Sequence, residues 1–205
     1  MGGQAGQPVP ITGLDAVRGK RFIVGVTGGI AAYKTAMVVS RLAQAGAEVT
    51  VAMTDAATKF VTPLTFQALS ARPVYTSAWE HVESKDPQHI SLADKADAAI
   101  VAPCTMDCMA KLATGRTDDV VCLILSAVDR TKTPVLLAPS MNSVMWAQPS
   151  TQRNLKTLVE DGFRIVGPGD GWQACRHVGT GRMAEPEAIL AAMAEAVGGH
   201  RRNER

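Results

Sequence analysis

The sequence is short of the features that mark membrane proteins and nucleic-acid-binding proteins. It has no apolar run approaching the ~18 residues that a membrane helix needs, and aromatic residues make up only 4% of the chain. So few aromatic rings argue against a surface that stacks on single-stranded nucleic acid. The 21 basic and 19 acidic residues leave a net charge of +2, which is too small for a DNA-binding footprint. We therefore expect neither a membrane nor a nucleic acid as partner.

Cysteines and targeting signals are also scarce. The four cysteines, Cys104, Cys108, Cys122 and Cys175, lie in apolar or glycine-rich surroundings that do not match a disulfide-rich secreted protein. The first residues lack the cationic and apolar regions of a secretory signal. Cys104 and Cys108 are four residues apart, but no second pair of cysteines or histidines completes a zinc site. These absences predict a reduced, cytoplasmic protein without a metal, in which Cys104 and Cys108 are small apolar fillers near a ligand.

What the sequence does contain is an alternation of apolar strand-like segments and segments of helical periodicity. Strands are predicted at residues 21–26, 48–53, 98–102, 134–138 and 163–166. A long glycine-rich loop at 167–184 precedes the last helix. The alternation predicts an α/β fold, a doubly wound, mostly parallel sheet of the Rossmann-like type, in a single domain over residues 21–197. We expect a flexible arm at 1–20 and a flexible basic tail at 198–205.

The unusual segments fall where the predicted strands end. In doubly wound folds, ligands bind beyond the carboxyl ends of the strands, so these segments should converge on one site. Gly28 and Gly29 follow the first strand, and they would let backbone N–H groups approach a phosphate at a helix end. A tight turn needed only for packing explains these two glycines equally well. In the helix that follows, the residues expected to face inward are Ile30, Tyr33, Met37, Val38 and Leu42.

Two well-known nucleotide motifs are excluded at this position. The glycine spacing does not fit the dinucleotide fingerprint, and no acidic residue closes the second strand. The segment from Gly28 to Thr35 has the length of a P-loop, but Tyr33 stands where the second glycine is required. Because a tyrosine removes the backbone freedom of a phosphate cradle, we do not expect ATP binding.

Several polar residues are candidates for chemistry, and each also has a structural explanation. His89 precedes a strand, and histidine is the side chain that most readily carries protons near neutral pH; a lone histidine is nevertheless more often structural. Cys175 lies in the long loop, and its thiol could donate a proton. Thr105 and Asp107 are typical helix caps. Asn142 can bind a carboxylate through its uncharged amide.

Five segments together resemble one protein family. They are residues 25–34 (GVTGGIAAYK), 62–69 (TPLTFQAL), 89–92 (HISL), 139–142 (PSMN) and 174–183 (ACRHVGTGRM). In this order they are similar to the homo-oligomeric flavin-containing cysteine decarboxylases, and most of all to the phosphopantothenoylcysteine decarboxylases among them. The resemblance runs from about residue 21 to residue 190.

The resemblance implies a cofactor, a substrate and an assembly. The cofactor is FMN, with contacts implied for Gly28, Gly29, Ile30, Thr54, Thr65, Thr105, Met106, Asp107, Cys108 and Ser140. The substrate is a small molecule with a terminal cysteine carboxylate, 4′-phosphopantothenoylcysteine, which is converted to 4′-phosphopantetheine in coenzyme A biosynthesis. The active site of the family lies between subunits of a homo-oligomer, either a trimer or a dodecamer of trimers.

The resemblance also implies roles for four residues. His89 and Cys175 match the catalytic histidine and the flap cysteine, and Asn142 and Met145 match substrate-binding positions. In the implied reaction, flavin oxidises the cysteine side chain to a thioaldehyde, which accepts the electrons left by departing carbon dioxide. His89 handles the thiol proton and Asn142 orients the carboxylate. Reduced flavin and a proton from Cys175 then convert the ene-thiol into the saturated aminothiol.

The chain departs from the family pattern at two places, and other functions stay open. Arg176 and His177 replace the Gly-Asp pair that usually follows the flap cysteine, and Asp107 replaces a more common asparagine. A peptidyl-cysteine oxidative decarboxylase of the lantibiotic type, which stops at the ene-thiol, is one alternative. A non-catalytic flavoprotein that regulates a phosphatase is another. A prenyltransferase that builds prenylated FMN is disfavoured by His89 and by the motif around Asn142.

Overall fold

Parallel strands form the central sheet of the protein in a computed structural model, which describes residues 13–80, 87–172, 174, 176 and 178–199. The strands of this sheet are β1 Arg21–Val26, β2 Glu48–Met53, β3 Val74–Tyr75, β4 Ala98–Cys104, β5 Val135–Pro139 and β6 Arg164–Ile165. Their order is β3-β2-β1-β4-β5-β6, and every neighbouring pair is parallel. The predicted doubly wound α/β fold is therefore confirmed.

Helices cover both faces of the sheet. They are a 3-10 helix at Asp15–Val17 and α-helices α1 Ala32–Gln44, α2 Asp55–Thr58, α3 Pro63–Ser70, α4 Gln88–Lys95, α5 Met106–Ala113, α6 Val120–Ser126, α7 Ser143–Ala147, α8 Pro149–Glu160 and α9 Pro186–Gly199. Helices α1, α3 and α9 contribute to the apolar core on one face, and α4, α5, α6 and α8 to the core on the other. Burial on both faces explains why the strands read as continuous apolar runs.

The chain turns in opposite directions on the two sides of β1 and β4. From β1 it crosses through α1 to β2 on one side, and from β4 it crosses through α5 and α6 to β5 on the other. A crevice opens at such a switch point, outside the carboxyl ends of the strands. Gly25 keeps the layers close here, because a Cβ at this residue would lie 2.7 Å from Val121 Cγ1.

The predicted flexible arm is wrong for residues 13–20. Leu14 and Val17 are buried in the core, and the 3-10 helix packs against α9. Lys20 Nζ lies 2.8 Å from Asp97 Oδ1, which attaches the segment just before β1. Because two apolar anchors and an ion pair hold this segment, it belongs to the domain. At the other end, α9 extends through Gly199, and residues 1–12 and 200–205 lie outside the described residues.

The predicted inner face of helix α1 is correct for Val38 and Leu42, which are buried, and wrong for the other three residues. Ile30, Tyr33 and Met37 are 58%, 56% and 44% exposed, instead of facing inward. Two polar residues occupy the inner face: the Thr35 hydroxyl donates a hydrogen bond to the carbonyl of Ala102, and Lys34 is bonded to a carboxylate. Since these groups are satisfied inside, apolarity alone did not indicate which side of the helix is buried.

The loop predicted at 167–184 contains regular structure. Its residues form an antiparallel hairpin of β7 Gly169–Trp172 and β8 Val178–Arg182, with Gly171 opposite Gly179. Gly171 has φ 150° and Gly181 has φ 136°, backbone conformations that favour glycine. Glycines therefore obscured the alternating pattern by which a hairpin is recognised. No helix within the described residues combines the length and the apolarity needed to cross a membrane.

Candidate active site

A large cavity lies at the switch point of the sheet, beyond the carboxyl ends of β1, β2, β4 and β5. Its volume is about 1150 Å³. Most of the predicted site residues line it: Gly28, Gly29, Ile30, Thr54, Thr105, Met106, Asp107, Cys108, Ser140, Asn142 and Met145. The expectation that the special strand-end segments converge on one site is therefore confirmed.

Three predicted site residues do not belong to the lining seen within the described part of the chain. Thr65 is exposed on α3, where its hydroxyl lies 3.4 Å from the hydroxyl of Thr62. His89 is half-buried in the first turn of α4. Cys175 lies outside the described residues, although Trp172 and Ala174 beside it line the cavity.

Close packing between α2 and the glycine turn that follows β1 shapes one wall of the cavity. A Cβ at Gly28 would lie 2.5 Å from the Cβ of Ala56 and 3.2 Å from its carbonyl carbon, so only glycine fits. The neighbouring Gly29 is less constrained, because its added Cβ would find nothing nearer than 3.6 Å. The wall is thus formed by exposed backbone, which suits a ligand that binds main-chain N–H groups.

Hydrogen bonds fix the ends of β1 and β4 relative to each other. The Thr27 hydroxyl donates to the carbonyl of Pro103 at 2.6 Å, and the backbone N–H of Thr105 donates to Thr27 Oγ1 at 3.2 Å. Thr105 Oγ1 also accepts from the N–H of Cys108 and caps α5. The N-termini of α1 and α5 therefore meet at the cavity, and their positive ends favour an anionic ligand.

The side chain of Asn142 is oriented by a backbone N–H group two residues further along the chain. Its Oδ1 accepts a hydrogen bond from the N–H of Val144 at 2.8 Å and caps α7. Because this contact identifies the oxygen of the amide, the Nδ2 atom carries the two N–H donors. Asn142 can therefore present an uncharged donor group at the cavity wall.

One side of the cavity is acidic. Lys111 Nζ lies 3.2 Å from Asp107, 3.1 Å from Asp118 and 3.0 Å from Asp119. Burial lowers the pKa of Lys111, but its hydrogen bonds to Asp119 and Asp118 outweigh burial and hold that pKa above its usual value. The ammonium is therefore charged and is surrounded by three carboxylates.

Another part of the cavity lining is basic. Lys34, whose side chain is 8% exposed, lies 2.9 Å from Glu185, and Arg182 Nη2 lies 2.7 Å from the same carboxylate. The hydrogen bond from Lys34, followed by the charges of Lys34 and Arg182, keeps the pKa of Glu185 below its usual value. Lys34 and Arg182 line the cavity, and they share one carboxylate partner.

One of three neighbouring buried thiols lies at the cavity wall, in α5. Cys104, Cys108 and Cys122 are all buried free cysteines, and Cys108 lines the cavity. Contact with Cys104 and burial raise the pKa of Cys108, despite an opposing contact with Cys122. A protonated thiol behaves as a small apolar group, which agrees with the predicted filler role of Cys104 and Cys108.

The β7–β8 hairpin, hereafter the flap, is attached to the cavity rim. The N–H of Met141 donates to the carbonyl of Gly181 at 2.9 Å. A Cβ at Gly179 would lie 2.9 Å from the Cβ of Ser143, so β8 approaches the segment after β5 closely. The flap therefore completes the cavity wall beside Asn142.

Sequence reasoning missed the charged lining residues and one aromatic. Lys34, Lys111, Asp118, Asp119, Arg182 and Trp172 line the cavity without having been predicted as site residues. Lys34, Trp172 and Arg182 lie within segments that were already singled out, so their position was a usable signal. The aspartates follow α5 in a stretch that shows no pattern by itself.

A family model described as Flavoprotein matches residues 13–198. The chain belongs to this family. The coenzyme A biosynthesis bifunctional protein CoaBC of Haemophilus influenzae is 45% identical over 179 residues, which cover 87% of this chain and 44% of that protein. The flavoprotein chain thus spans less than half the length of this curated relative.

Solved structures of flavin-dependent cysteine decarboxylases share its fold. The FMN-dependent cysteine decarboxylase SpaF superposes with a TM-score of 0.75 at 28% identity, covering 89% of this chain and 97% of that one. A cysteine-to-serine mutant of PPC decarboxylase, complexed with pantothenoylaminoethenethiol, gives a TM-score of 0.74 at 30% identity, covering 86% and 97%. The resemblance to cysteine decarboxylases is therefore confirmed.

Replacing Gly28 with alanine should damage the cavity wall. Its methyl group would lie 2.5 Å from Ala56 Cβ, and such overpacking typically costs about 1–3 kcal/mol of unfolding free energy. Gly29→Ala is the matched control, since its methyl meets nothing nearer than 3.6 Å, and its unfolding free energy should change by less than about 0.5 kcal/mol. Urea unfolding of both variants measures the difference. Equal losses for the two would contradict the close approach of Ala56.

Proposed function

We propose that this flavoprotein is an FMN-dependent decarboxylase that converts 4′-phosphopantothenoylcysteine to 4′-phosphopantetheine, a step of coenzyme A biosynthesis. The convergence of the strand-end motifs on one cavity carries this proposal. The names of the relatives support it, since they include a coenzyme A biosynthesis protein and a PPC decarboxylase. The activity belongs to a single domain over residues 21–197, to which residues 13–20 also attach, in a cytoplasmic protein.

The residues present fit FMN. The close approach at Gly28 leaves backbone exposed at the N-terminus of α1, which suits a single phosphate, together with Gly29, Ile30 and Thr54. Thr105, Met106, Asp107, Cys108 and Ser140 line the β4–β5 side, where a flat ring system would lie. When bound, FMN supplies an electron acceptor for the substrate and later returns a hydride.

The chain's own residues bind and orient the substrate. Asn142 presents its amide N–H donors to the carboxylate, and because the amide is uncharged it does not stabilise the anion that must be lost. Met145, 42% exposed at the rim, contacts the apolar part of the substrate. The flap beside Asn142 limits access of water to the reacting carbon.

Two residues move protons. His89 accepts the proton of the substrate thiol before carbon dioxide leaves, and Cys175 donates a proton to carbon afterwards. The PPC decarboxylase relative whose cysteine is replaced by serine is complexed with an ene-thiol, which supports a late role for a flap cysteine. His89 does not line the cavity of its own chain among the described residues, and this suggests that a second copy supplies it.

We therefore propose a homo-oligomer, a trimer or a dodecamer of trimers, whose copies meet at an apolar face beside the cavity. The face is exposed and consists of Ile30, Tyr33, Met37, Phe60 and Leu64. Ile30 and Tyr33 also line the cavity, so the cavity opens onto this face. Exposed apolar patches of this kind mark interaction sites, and burial of this one would bring a second chain to the cavity.

Leu64→Glu should dissociate the oligomer and lower turnover. Leu64 is the most exposed member of the apolar face, at 69%, and a charge there cannot be buried without a large cost. Val159→Glu is the matched control, because Val159 is 53% exposed on α8, outside the face. Sedimentation velocity should show a smaller particle for Leu64→Glu and the native particle size for Val159→Glu. An unchanged particle size for that variant would place the contact elsewhere.

The experiment that tests the proposed function is incubation with phosphopantothenoylcysteine. We expect the purified protein to be yellow and to bind FMN rather than FAD. It should release carbon dioxide and form phosphopantetheine, and mass spectrometry identifies this product. The similarity to SpaF supports a second candidate, an oxidative decarboxylase of peptidyl-cysteine that stops at the ene-thiol. A product with two hydrogen atoms fewer than the aminothiol, formed from a peptide, would favour the second candidate.

A further inference from the structure

The charges of the cavity wall are unevenly balanced. On the acidic side, three aspartates surround Lys111. On the basic side, Lys34 and Arg182 share Glu185 as their carboxylate partner. The lining therefore carries excess negative charge around Lys111, even though Asp118 also pairs with Arg116, and excess positive charge around Arg182.

Lys34 and Glu185 hold Arg182 in place. Lys34 Nζ contacts both oxygens of Glu185, at 3.0 and 2.9 Å, from an almost fully buried position in the first turn of α1. Glu185 in turn lies 2.7 Å from Arg182 at the end of β8. Because one end of this chain of contacts is buried, the guanidinium is fixed more firmly than a surface arginine would be.

The guanidinium still has donors to offer. Arg182 is 41% exposed and lines the cavity, and its Nη1 atom lies next to Gly171, where an added Cβ would be 3.1 Å away. A guanidinium carries five N–H donors in a planar fork that matches the oxygens of phosphate. Glu185 neutralises only one of the two cations, so a second anion is favoured at Arg182.

We propose that Arg182 is a specificity-determining residue that binds the phosphate monoester of the substrate, and that Lys34 and Glu185 are its positioning residues. This inference rests on the proposed function for the identity of the substrate. The substrate also has a carboxylate, but a cation beside that group would stabilise the anion that has to be lost, which opposes the reaction. The phosphate is therefore the better partner for Arg182.

FMN is a second source of phosphate, and the test below separates the two sources. The flavin phosphate is proposed for the β1–β2 side, where Gly28 packs against Ala56. Arg182 follows Gly181, whose carbonyl is bonded to Met141 after β5. The backbone of Arg182 is thus attached after β5, whereas Glu185 links its guanidinium to Lys34 in the first turn of α1, so FMN affinity is measured beside ligand preference.

The test measures binding of phosphopantetheine and of pantetheine to the FMN-loaded protein by calorimetry under reducing conditions. The native protein should prefer the phosphorylated ligand, and Arg182→Met should reduce the ratio of the two affinities by about 10- to 100-fold, the usual effect of a hydrogen bond to a charged group. The affinity ratio of Arg182→Lys should lie between those of the native protein and Arg182→Met, because lysine keeps the positive charge but lacks the planar fork of N–H donors. The ratio of kcat/KM for the phosphorylated and unphosphorylated substrates should change in parallel.

Two further variants separate positioning from general damage. Lys34→Met should lower the same affinity ratio by a smaller factor, because Glu185 loses its buried anchor and then neutralises Arg182 alone. Arg41→Met is the matched control: it breaks another arginine–glutamate pair between α1 and α9, Arg41 with Glu187 at 2.8 Å, outside the cavity lining, and should leave the ratio unchanged.

The outcomes also separate this inference from the proposed function. An unchanged affinity ratio in Arg182→Met would overturn the inference, and so would a loss of FMN affinity in place of ligand preference, since the bound phosphate would then be that of the flavin. A protein that discriminates the two ligands through Arg182 but releases no carbon dioxide would uphold the inference and contradict the proposed function.

Discussion

His89→Asn is expected to lower turnover by about 10²–10⁴, the usual contribution of a positioned acid–base group, while FMN stays bound. Asparagine is similar in size to histidine and can still form hydrogen bonds, but it cannot exchange a proton near neutral pH. His89 lies in the first turn of α4, and the described cavity lining does not include it. Flavin absorbance and carbon dioxide release, measured on the same sample, test the prediction. Near-normal turnover would make His89 a structural residue.

A complementation experiment tests whether His89 acts in the cavity of another copy. Asn142→Asp keeps the cap of α7, because aspartate is an equally good capping residue, but it places a negative charge against the substrate carboxylate. Oligomers of either variant alone should be nearly inactive. Mixed oligomers reassembled from His89→Asn and Asn142→Asp should regain turnover, since some cavities would then receive both native residues. If mixing restores nothing, the two residues act within one chain or His89 does not take part.

The sheet was predictable from the sequence because its strands are buried on both faces. Continuous apolar runs at β1, β2, β4 and β5 are long enough to be distinguished from helices. The edge strands β3 and β6 have only two residues each; the prediction placed a longer strand at 163–166 and nothing at β3. Length and burial therefore determine how well a strand can be recognised.

The helical faces were less predictable because polar groups are buried. In α1, Lys34 and Thr35 point inward and bond to Glu185 and to the carbonyl of Ala102. Their partners lie far away in the sequence, so no local pattern indicates that they are satisfied. The same applies to the cavity charges, where Lys111 and the aspartates after α5 become neighbours only in the fold.

The place of the candidate site in the fold was predictable from a general rule, whereas the roles of its residues were not. Ligands of doubly wound folds lie beyond the carboxyl ends of the strands. Thr54 and Thr105 come directly after β2 and β4, and Asn142 comes three residues after the end of β5. All three line the cavity. Each also caps a helix, so a structural role and a binding role coexist and neither excludes the other.

The flap residue Arg176 has a backbone conformation that bears on the proton-donating step. Its φ is 65°, in the left-handed region that favours glycine, and the related decarboxylases that it resembles usually have glycine there. Arg176→Gly should therefore fit without strain. A cation beside a thiol lowers the pKa of that thiol, so that a smaller fraction of it carries a proton at neutral pH. Removing the cation should therefore speed the final proton transfer from Cys175.

Cys175→Ser should separate the two halves of the proposed reaction. In the proposed reaction, loss of carbon dioxide depends on His89 and Asn142, whereas only the later step needs a proton delivered to carbon. Serine keeps the size of the side chain and its hydrogen bond, but a hydroxyl is a much weaker acid than a thiol. We expect a first turnover that releases carbon dioxide and then stalls, with flavin absorbance bleached and a product two hydrogen atoms short of the aminothiol. The cysteine-to-serine PPC decarboxylase that is complexed with pantothenoylaminoethenethiol supports this outcome. Single-turnover mass spectrometry, with absorbance followed in parallel, is the measurement. Formation of the saturated product at the normal rate would show that Cys175 is not the proton donor and that the flap only covers the cavity.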